Sequence, residues 1–146
     1  KKKNFHKIIL QDSAMVILKN EKNEILFLNE YRRGINKKSL GFPGGHVEKN
    51  EKPLKCIKRE LLEETGYVAK NWKLLFQYIR HGTYNCGRDF IFTAKVKKIV
   101  KKKNFENIEK KWLTNRIIKK NLSQNKFKTV GIIASILFYF YDKKIY

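Results

Sequence analysis

Runs of apolar residues along the chain predict short strands separated by polar turns. The run Ile25–Leu28 is continuously apolar, as expected for a strand covered on both faces. Polar residues at 20–23 form a turn signal that separates it from the preceding run. The predicted strands are Ser13–Leu18, Glu24–Glu30, Trp72–His81, Asp89–Val96 and Lys110–Thr114. The stretch predicted to be a polar loop is Arg32–Leu40.

Helical periodicity is clearest in Pro53–Thr65. Leu54, Ile57 and Leu61 recur at i, i+3 and i+7, which places one apolar stripe along the segment. A proline suits the first turn, where its missing N–H costs nothing, and Gly66 is typical of the residue that follows a helix. The segment is therefore predicted to be a helix with one buried face.

Two further helices are predicted near the end of the chain, a short one at Arg116–Asn121 and a long apolar one at Phe127–Tyr141. The apolar helix needs a sheet to pack against. Helices on both sides of a mixed sheet form an α/β/α sandwich, so we expect an α/β (α+β) protein with a single domain over residues 1–146. A hydrophobic content of 42% supports a globular chain.

The chain carries 34 basic and 13 acidic residues, which give a formal net charge of +21. One explanation is attraction to polyanions such as nucleotides or RNA, and the other is a lysine-rich composition without such a partner. The lysines are scattered along the chain, which favours the second explanation, a lysine-rich composition without a polyanionic partner. The start, KKKNFHK, shows no signal peptide, and the apolar run Val130–Tyr141 is shorter than the roughly twenty residues that span a bilayer. We therefore expect a cytoplasmic protein that does not enter membranes.

Acidic residues are concentrated in one short segment of this basic chain. Five of the 13 fall between positions 48 and 64, and three of these, Glu60, Glu63 and Glu64, follow i, i+3, i+4 spacing. Like charges at i, i+4 destabilise a helix by roughly 0.2–0.5 kcal/mol per pair, and a divalent cation among them removes that repulsion. The pentapeptide ELLEE alone is typical of an ordinary solvated helix face, so its context has to decide.

That context is a glycine-rich turn at Gly41–Gly45, which leads into the helix. Arg59 directly precedes Glu60, and a guanidinium there can bridge Glu51 and a helix carboxylate in a bidentate contact. A loop, an ordering ion pair and a group of carboxylates are together far more specific than any one of them. The combination predicts a site for Mg²⁺ or Mn²⁺, which prefer carboxylate oxygens.

The same residues resemble the Nudix box. Gly45, Glu51 and the run Arg59-Glu60-Leu61-Leu62-Glu63-Glu64-Thr65-Gly66 match its fixed positions, and Tyr67 stands where an aliphatic residue is usual. The resemblance implies an enzyme that hydrolyses a nucleoside diphosphate linked to another moiety. It also implies that the box helix holds divalent metal.

The resemblance assigns roles to the carboxylates and to the residues around them. The residues expected to hold the metal are Glu60, Glu64, Glu63 and the backbone carbonyl of Gly44. The residues expected to organise the loop are Arg59 and Glu51. The candidates for the general base are Glu63, Glu106 and Glu109.

Segments outside the box are similar to ADP-ribose and ADP-sugar pyrophosphatases. Tyr31-Arg32-Arg33 followed by Gly41–Gly45 resembles the segment before the box in those enzymes. The resemblance implies ADP-ribose or a nucleotide sugar as substrate, with a nucleoside monophosphate and a sugar phosphate as products. Planar guanidinium groups can hold phosphates bidentately. The candidates for binding substrate are Arg32, Arg33, Arg80, Arg88 and Gly45.

Two other functions stay open. A nucleoside triphosphatase or an RNA 5′-end pyrophosphohydrolase would benefit from the positive charge. A Nudix-fold module that senses nucleotides without turnover is the third possibility, and the three intact helix glutamates speak against it. Only about a dozen residues precede Ser13, too few for the N-terminal subdomain that the similar enzymes exchange between subunits. Both a monomer and a homodimer therefore stay open.

Overall fold

The computed structural model describes residues 8–83, 87–100 and 108–145, and within them the chain forms seven strands and three α-helices. The strands are β1 (Ser13–Lys19), β2 (Ile25–Arg32), β3 (Lys37–Gly41), β4 (Gly44–His46), β5 (Tyr67–Ile79), β6 (Arg88–Ile99) and β7 (Glu109–Leu113). The helices are α1 (Pro53–Thr65), α2 (Asn115–Ser123) and α3 (Val130–Ile145), and a 3₁₀ turn covers Arg33–Ile35.

All seven strands belong to one mixed sheet. Its order is β3-β2-β1-β6-β5, with β4 paired to β1 and β7 paired to β2. Strands β1 and β6 run parallel, from Ser13 opposite Asp89 to Lys19 opposite Lys95, and the other pairs are antiparallel. The mixed sheet predicted from the sequence is confirmed.

Alternate residues of β1 point to opposite faces of the sheet, and each face carries its own hydrophobic core. Val16 and Leu18 pack in one cluster with Ile57 and Leu61 of α1. Ile17 packs in the other cluster with buried residues of α2 and α3. Helices therefore cover both faces, and the α/β/α sandwich is confirmed.

Helix α1 has the bounds that the sequence predicts, Pro53–Thr65. Gly66 ends it in the left-handed conformation at φ 76°, and its N–H donates to a carbonyl four residues back at 2.9 Å. Ile57 and Leu61 are fully buried, whereas Leu54 in the first turn is 36% exposed. The helix is therefore packed on the sheet through its second and third turns.

The polar loop predicted over Arg32–Leu40 is wrong. After the 3₁₀ turn the chain forms β3, which pairs antiparallel with β2. Lys37 and Lys38 are exposed on this strand while Ser39 is buried, so the polar composition conceals a regular strand. Because β3 ends the sheet order, its lysines stand where charge discourages pairing with another chain.

Two other strands extend beyond their predicted bounds. β5 begins at Tyr67, directly after Gly66, instead of at Trp72. β6 continues to Ile99, three residues beyond its predicted end at Val96. No helix within the described ranges combines the length and the apolar character needed to cross a bilayer.

Candidate active site

Two glycines bring the backbone of the box loop against the acidic side of α1. Gly44 pairs with Met15 in β1, and a Cβ at this position would lie 2.9 Å from the Met15 Cα, so glycine is required. Its N–H donates to Glu64 Oε2 at 3.0 Å. Gly45 leaves space that the Glu60 carboxylate occupies, since an added Cβ would lie 2.7 Å from Oε2 and closer still to two other atoms of that carboxylate. The loop and the helix are therefore fitted to each other at two glutamates.

Arg59 holds the loop and the helix together. Its Nε and Nη2 donate to the two oxygens of Glu51 at 3.2 and 3.1 Å, which is the bidentate contact predicted from the sequence. Its Nη1 lies 2.8 Å from Glu60 Oε1 and 3.2 Å from Glu63 Oε2. Glu48 Oε1 lies 3.8 Å from Nη2, so one guanidinium pairs with four carboxylates, and its charge offsets their mutual repulsion.

The electrostatics follow from this contact. Hydrogen bonds from Arg59 hold the pKa of Glu51 below its ordinary value, and the hydrogen bond to Glu51 raises the pKa of Arg59 further. Both groups therefore stay charged across the physiological range.

Cys56 lies below the loop, where Sγ faces the His46 carbonyl at 3.3 Å. The side chain is fully buried, and burial raises the pKa of its thiol to about 12. A neutral thiol in this position fills space beneath the loop and contributes no nucleophile.

The carboxylates suit a hard divalent cation by their chemistry. As the side chains stand, no three acidic, histidine or cysteine side chains of the described residues surround a common point, because Arg59 contacts both Glu60 and Glu63. Glu64 is 8% exposed and faces Gly44, while Glu63 is more than half exposed. Carboxylate oxygens beside a loop carbonyl are the donor set that Mg²⁺ and Mn²⁺ prefer, so these residues could hold either ion.

A cavity of about 630 Å³ opens beside the two glycines. This volume suits a ligand of nucleotide size. Arg32 and Arg33 line one side, the start of α3 at Thr129–Ile132 lines another, and Arg80 lies at one end. Three of the four arginines predicted to bind substrate therefore face the same space as Gly44 and Gly45.

Arg88 lies outside that lining. Its Nη2 contacts Asp12 at 2.8 Å, and its guanidinium lies 5.3 Å from the centre of the Phe90 ring. A role for Arg88 in substrate binding stays a prediction, and its observed contacts are those of a surface ion pair.

The three candidates for the general base differ in position. Glu63 lies in α1 together with the two other helix glutamates, Glu60 and Glu64. Glu109 is in β7, outside the helix that carries these carboxylates, where it accepts a hydrogen bond from Asn29 at 2.6 Å that lowers its pKa; like Glu63, it is not part of the cavity lining. Glu106 lies outside the described residues. Among the described residues, the geometry therefore favours Glu63.

Three polar residues of the cavity lining were not predicted from the sequence. Ser13, Tyr78 and Asp89 line the cavity together with Arg80. A signal for one of them was available, because aspartate is depleted in strands and Asp89 stands in an otherwise apolar strand segment. Its partners come from distant parts of the chain, so pattern alone does not reveal them.

Comparison with known protein families places this geometry in context. The model of the NUDIX domain matches residues 9–130, which covers the box loop, α1 and every strand. The chain belongs to the Nudix family. The family resemblance predicted from the box is therefore confirmed.

Curated relatives with matching segments have different activities. The chain is 35% identical over 65 residues to a methanol dehydrogenase activator of Bacillus methanolicus and 36% identical over 61 residues to the 8-oxo-dGTP diphosphatase of Escherichia coli K12. It is 33% identical over 64 residues to the ADP-ribose pyrophosphatase of Bacillus subtilis. These matches cover 44%, 42% and 43% of this chain, and the chain spans only 35%, 47% and 35% of the relatives' lengths.

Solved structures share the whole fold. A hydrolase of ADP compounds superposes with a TM-score of 0.79 at 18% identity, over 91% of this chain and 72% of the other. A Nudix hydrolase from Nitrosomonas europaea superposes with a TM-score of 0.73 at 22% identity, over 92% of this chain and 90% of the other. At these identities the likeness shows the Nudix fold, and substrate has to be argued from the site.

Proposed function

We propose that this Nudix protein hydrolyses the pyrophosphate bond of a nucleoside diphosphate derivative, foremost ADP-ribose or a nucleotide sugar. The products are a nucleoside monophosphate and a sugar phosphate. The observation that carries the proposal is the contact of Glu60 and Glu64 with the glycine pair beside a cavity lined by three arginines. The similarity to an ADP-ribose pyrophosphatase supports this substrate class.

In this proposal, Glu60, Glu64, Glu63 and the Gly44 carbonyl hold Mg²⁺ or Mn²⁺. A divalent ion at such a site lowers the pKa of bound water and neutralises charge on phosphate oxygens. The chain's own groups supply the positioning. The Gly44 N–H orients the Glu64 carboxylate, and Arg59 holds Glu51 and with it the loop.

The reaction needs a base and a cationic clamp as well as the metal donors. Water attacks one phosphorus, the bridging P–O bond breaks, and the proton of the water passes to a carboxylate, for which Glu63 is the best placed. Arg32 and Arg33 face the cavity and are proposed to bind the phosphate oxygens of the substrate, while Arg80, also in the lining, is proposed to bind the group joined to the diphosphate.

Turnover of a substrate panel tests the proposal. Phosphate-coupled assays with Mg²⁺ would compare ADP-ribose, nucleotide sugars, dinucleoside polyphosphates, nucleoside triphosphates and 5′-triphosphate RNA. We expect Glu64→Gln to lower kcat by about 10²-fold or more, since even residues that only support metal ligands cost roughly 10–100-fold. Glu21→Gln, in an exposed turn, is the matched control. Tight nucleotide binding without turnover of any compound would overturn the proposed enzymatic activity and indicate a module that senses nucleotides.

A second substrate class has its own support. The chain is also similar to an 8-oxo-dGTP diphosphatase, and its net charge of +21 favours polyanions. A nucleoside triphosphatase or an RNA 5′-end pyrophosphohydrolase would use the same glutamates and arginines. Faster turnover of triphosphates or of 5′-triphosphate RNA than of ADP-ribose would favour this class.

A further inference from the structure

Asp89 is a buried carboxylate in the lining of the cavity. It is 4% exposed, although it lines the cavity. Three side chains converge on it. Ser13 donates its hydroxyl to Oδ1, Arg80 Nε lies 3.1 Å from the same oxygen, and the Tyr78 phenol lies near enough to interact electrostatically with the carboxylate. All three partners also line the cavity, so one buried charge organises this part of the lining.

The sheet register places this cluster relative to the box loop. Ser13 is opposite His46 of β4 on one side and opposite Asp89 of β6 on the other. Neighbouring strands lie roughly 4.8 Å apart, so the backbones of His46 and Asp89 are separated by about 10 Å. Side chains at Asp89 therefore cannot reach the bond that Glu60 and Glu64 are proposed to cleave, but they can reach the moiety attached to it.

Arg80 depends on Asp89 through charge. Its Nη2 donates to the Gln11 carbonyl. Its Nε is buried and, although near Asp89, has no aligned hydrogen-bond acceptor among the described residues. An ion pair without an aligned hydrogen bond is held by electrostatic attraction, so a neutral residue of the same shape at position 89 would leave the guanidinium held only through the Gln11 carbonyl.

Tyr78 connects the cluster to the opposite wall. Its hydroxyl lies directly against Gly131 in the first turn of α3, where any added Cβ would collide with it. Burial raises the pKa of Tyr78, and the interaction with Asp89 raises it further, so the phenol stays neutral. Asp89 thus fixes the side chains between β6 and α3 as well as the guanidinium.

We propose that Asp89 is a positioning residue that holds Arg80 toward the cavity, where the guanidinium binds the group joined to the diphosphate. The inference deepens the proposed function and rests on it. A contact that binds substrate and transition state equally sets KM and leaves kcat unchanged, and this is the division that we expect for Arg80. The residue therefore determines which nucleoside diphosphate derivatives bind well.

The decisive variant is Asp89→Asn. We expect KM for the preferred substrate to rise about tenfold with kcat within about twofold. Arg80→Gln should raise KM by a similar factor, and the double variant should raise it no further, because both changes remove one interaction. The matched control is Asp142→Asn, which removes the Lys73–Asp142 ion pair outside the cavity and should leave KM unchanged.

Three outcomes would overturn the inference. The first is a lower melting temperature with unchanged KM in Asp89→Asn, which would indicate a structural role alone. The second is independent, additive effects of the changes at Asp89 and Arg80. If Asp89→Asn does not fold, Ser13→Ala removes the hydroxyl that donates to Asp89 Oδ1, and an unchanged KM there is the third.

Failure of the proposed function itself would look different. In that case the wild-type protein turns over no compound of the panel. Calorimetric binding of ADP-ribose to the wild type and to Asp89→Asn still tests the positioning role. An affinity about tenfold weaker in the variant supports it, and equal affinities overturn it.

Discussion

Substitution of Gly45 by alanine should displace the Glu60 carboxylate while the stability of the fold changes little. Gly45 has ordinary backbone angles, since positive φ among the described glycines occurs only at Gly66 and Gly87. Alanine is therefore tolerated by the backbone. Its Cβ, however, would collide with the carboxylate of Glu60 and with no backbone atom among its three nearest neighbours.

The displacement can be estimated from the contact distances. The added Cβ would lie 2.7 Å from Glu60 Oε2, with Cδ and Oε1 closer still, whereas ordinary contact needs roughly 3.5 Å. The carboxylate must therefore move by about 1 Å. A misplacement of about 1 Å near reacting groups can cost about 10²-fold in rate. Because the end of a flexible side chain moves and no backbone does, we expect little change in stability.

The assay compares kcat on the best substrate with the melting temperature. We expect Gly45→Ala to lower kcat by about 10²-fold, with a melting temperature within a few degrees of wild type. The matched control is Gly82→Ala, since no atom of the described residues lies within 4 Å of the added Cβ there. Its kcat and melting temperature should both equal those of the wild type.

Two results would refute this reasoning. Unchanged kcat in Gly45→Ala would show that the position of Glu60 does not limit catalysis. A large fall in melting temperature would show that the collision is relieved by the backbone, in contrast to the estimate above.

Three further predictions concern stability and reactivity. The pKa of Glu51 is lowered in the folded state by Arg59, so its contribution to stability is present above about pH 4.5 and is lost as pH falls through the folded pKa. Glu51→Gln should therefore lower the melting temperature at pH 7 and much less at pH 3, and an equal loss at both would contradict the linkage. The Cys56 thiol has a pKa of about 12 and no exposed surface, so it should resist alkylation at pH 8 until the protein unfolds. The alkylation rate would be measured after Cys86, which lies outside the described residues, is replaced by serine. Phe27→Ala should lower the free energy of unfolding, measured with denaturant, by about 3–5 kcal/mol, because Phe27 is fully buried. The control is Phe138→Ala, which should lower it by less than half as much because Phe138 is partly exposed.

The features that could be predicted from sequence are those encoded locally. Helix α1 carries its own start signal, end signal and apolar stripe within Pro53–Gly66, so its bounds are predicted correctly. The contact of Arg59 with Glu51 spans eight residues and follows from a loop that folds back on its own helix. Short sequence separation makes such contacts visible in the residue pattern.

The features that were missed depend on pairing between distant segments. Strand β3 has a polar composition, and only its pairing with β2 makes it a strand. Strand β4 is three residues long within a glycine-rich turn, and its pairing with β1 creates it. Propensity carries little information where backbone pairing decides the structure.

The cavity end around Asp89 was out of reach for the same reason. Ser13 and Asp89 are 76 positions apart and become neighbours because β1 and β6 pair in parallel. The crossing that joins parallel strands removes any local signal of contact. Only the unusual aspartate in an apolar strand could have drawn notice.

The register of β1 has a consequence for how the molecule opens. Met15, Ala14 and Ser13 pair with the box loop on one side and with the start of β6 on the other, so both ends of the cleft share one strand segment. A slip of one residue would turn every side chain of that segment to the opposite face. The amides of β4 and of the first residues of β6 should therefore exchange with solvent in a single cooperative event, with equal protection and equal sensitivity to denaturant.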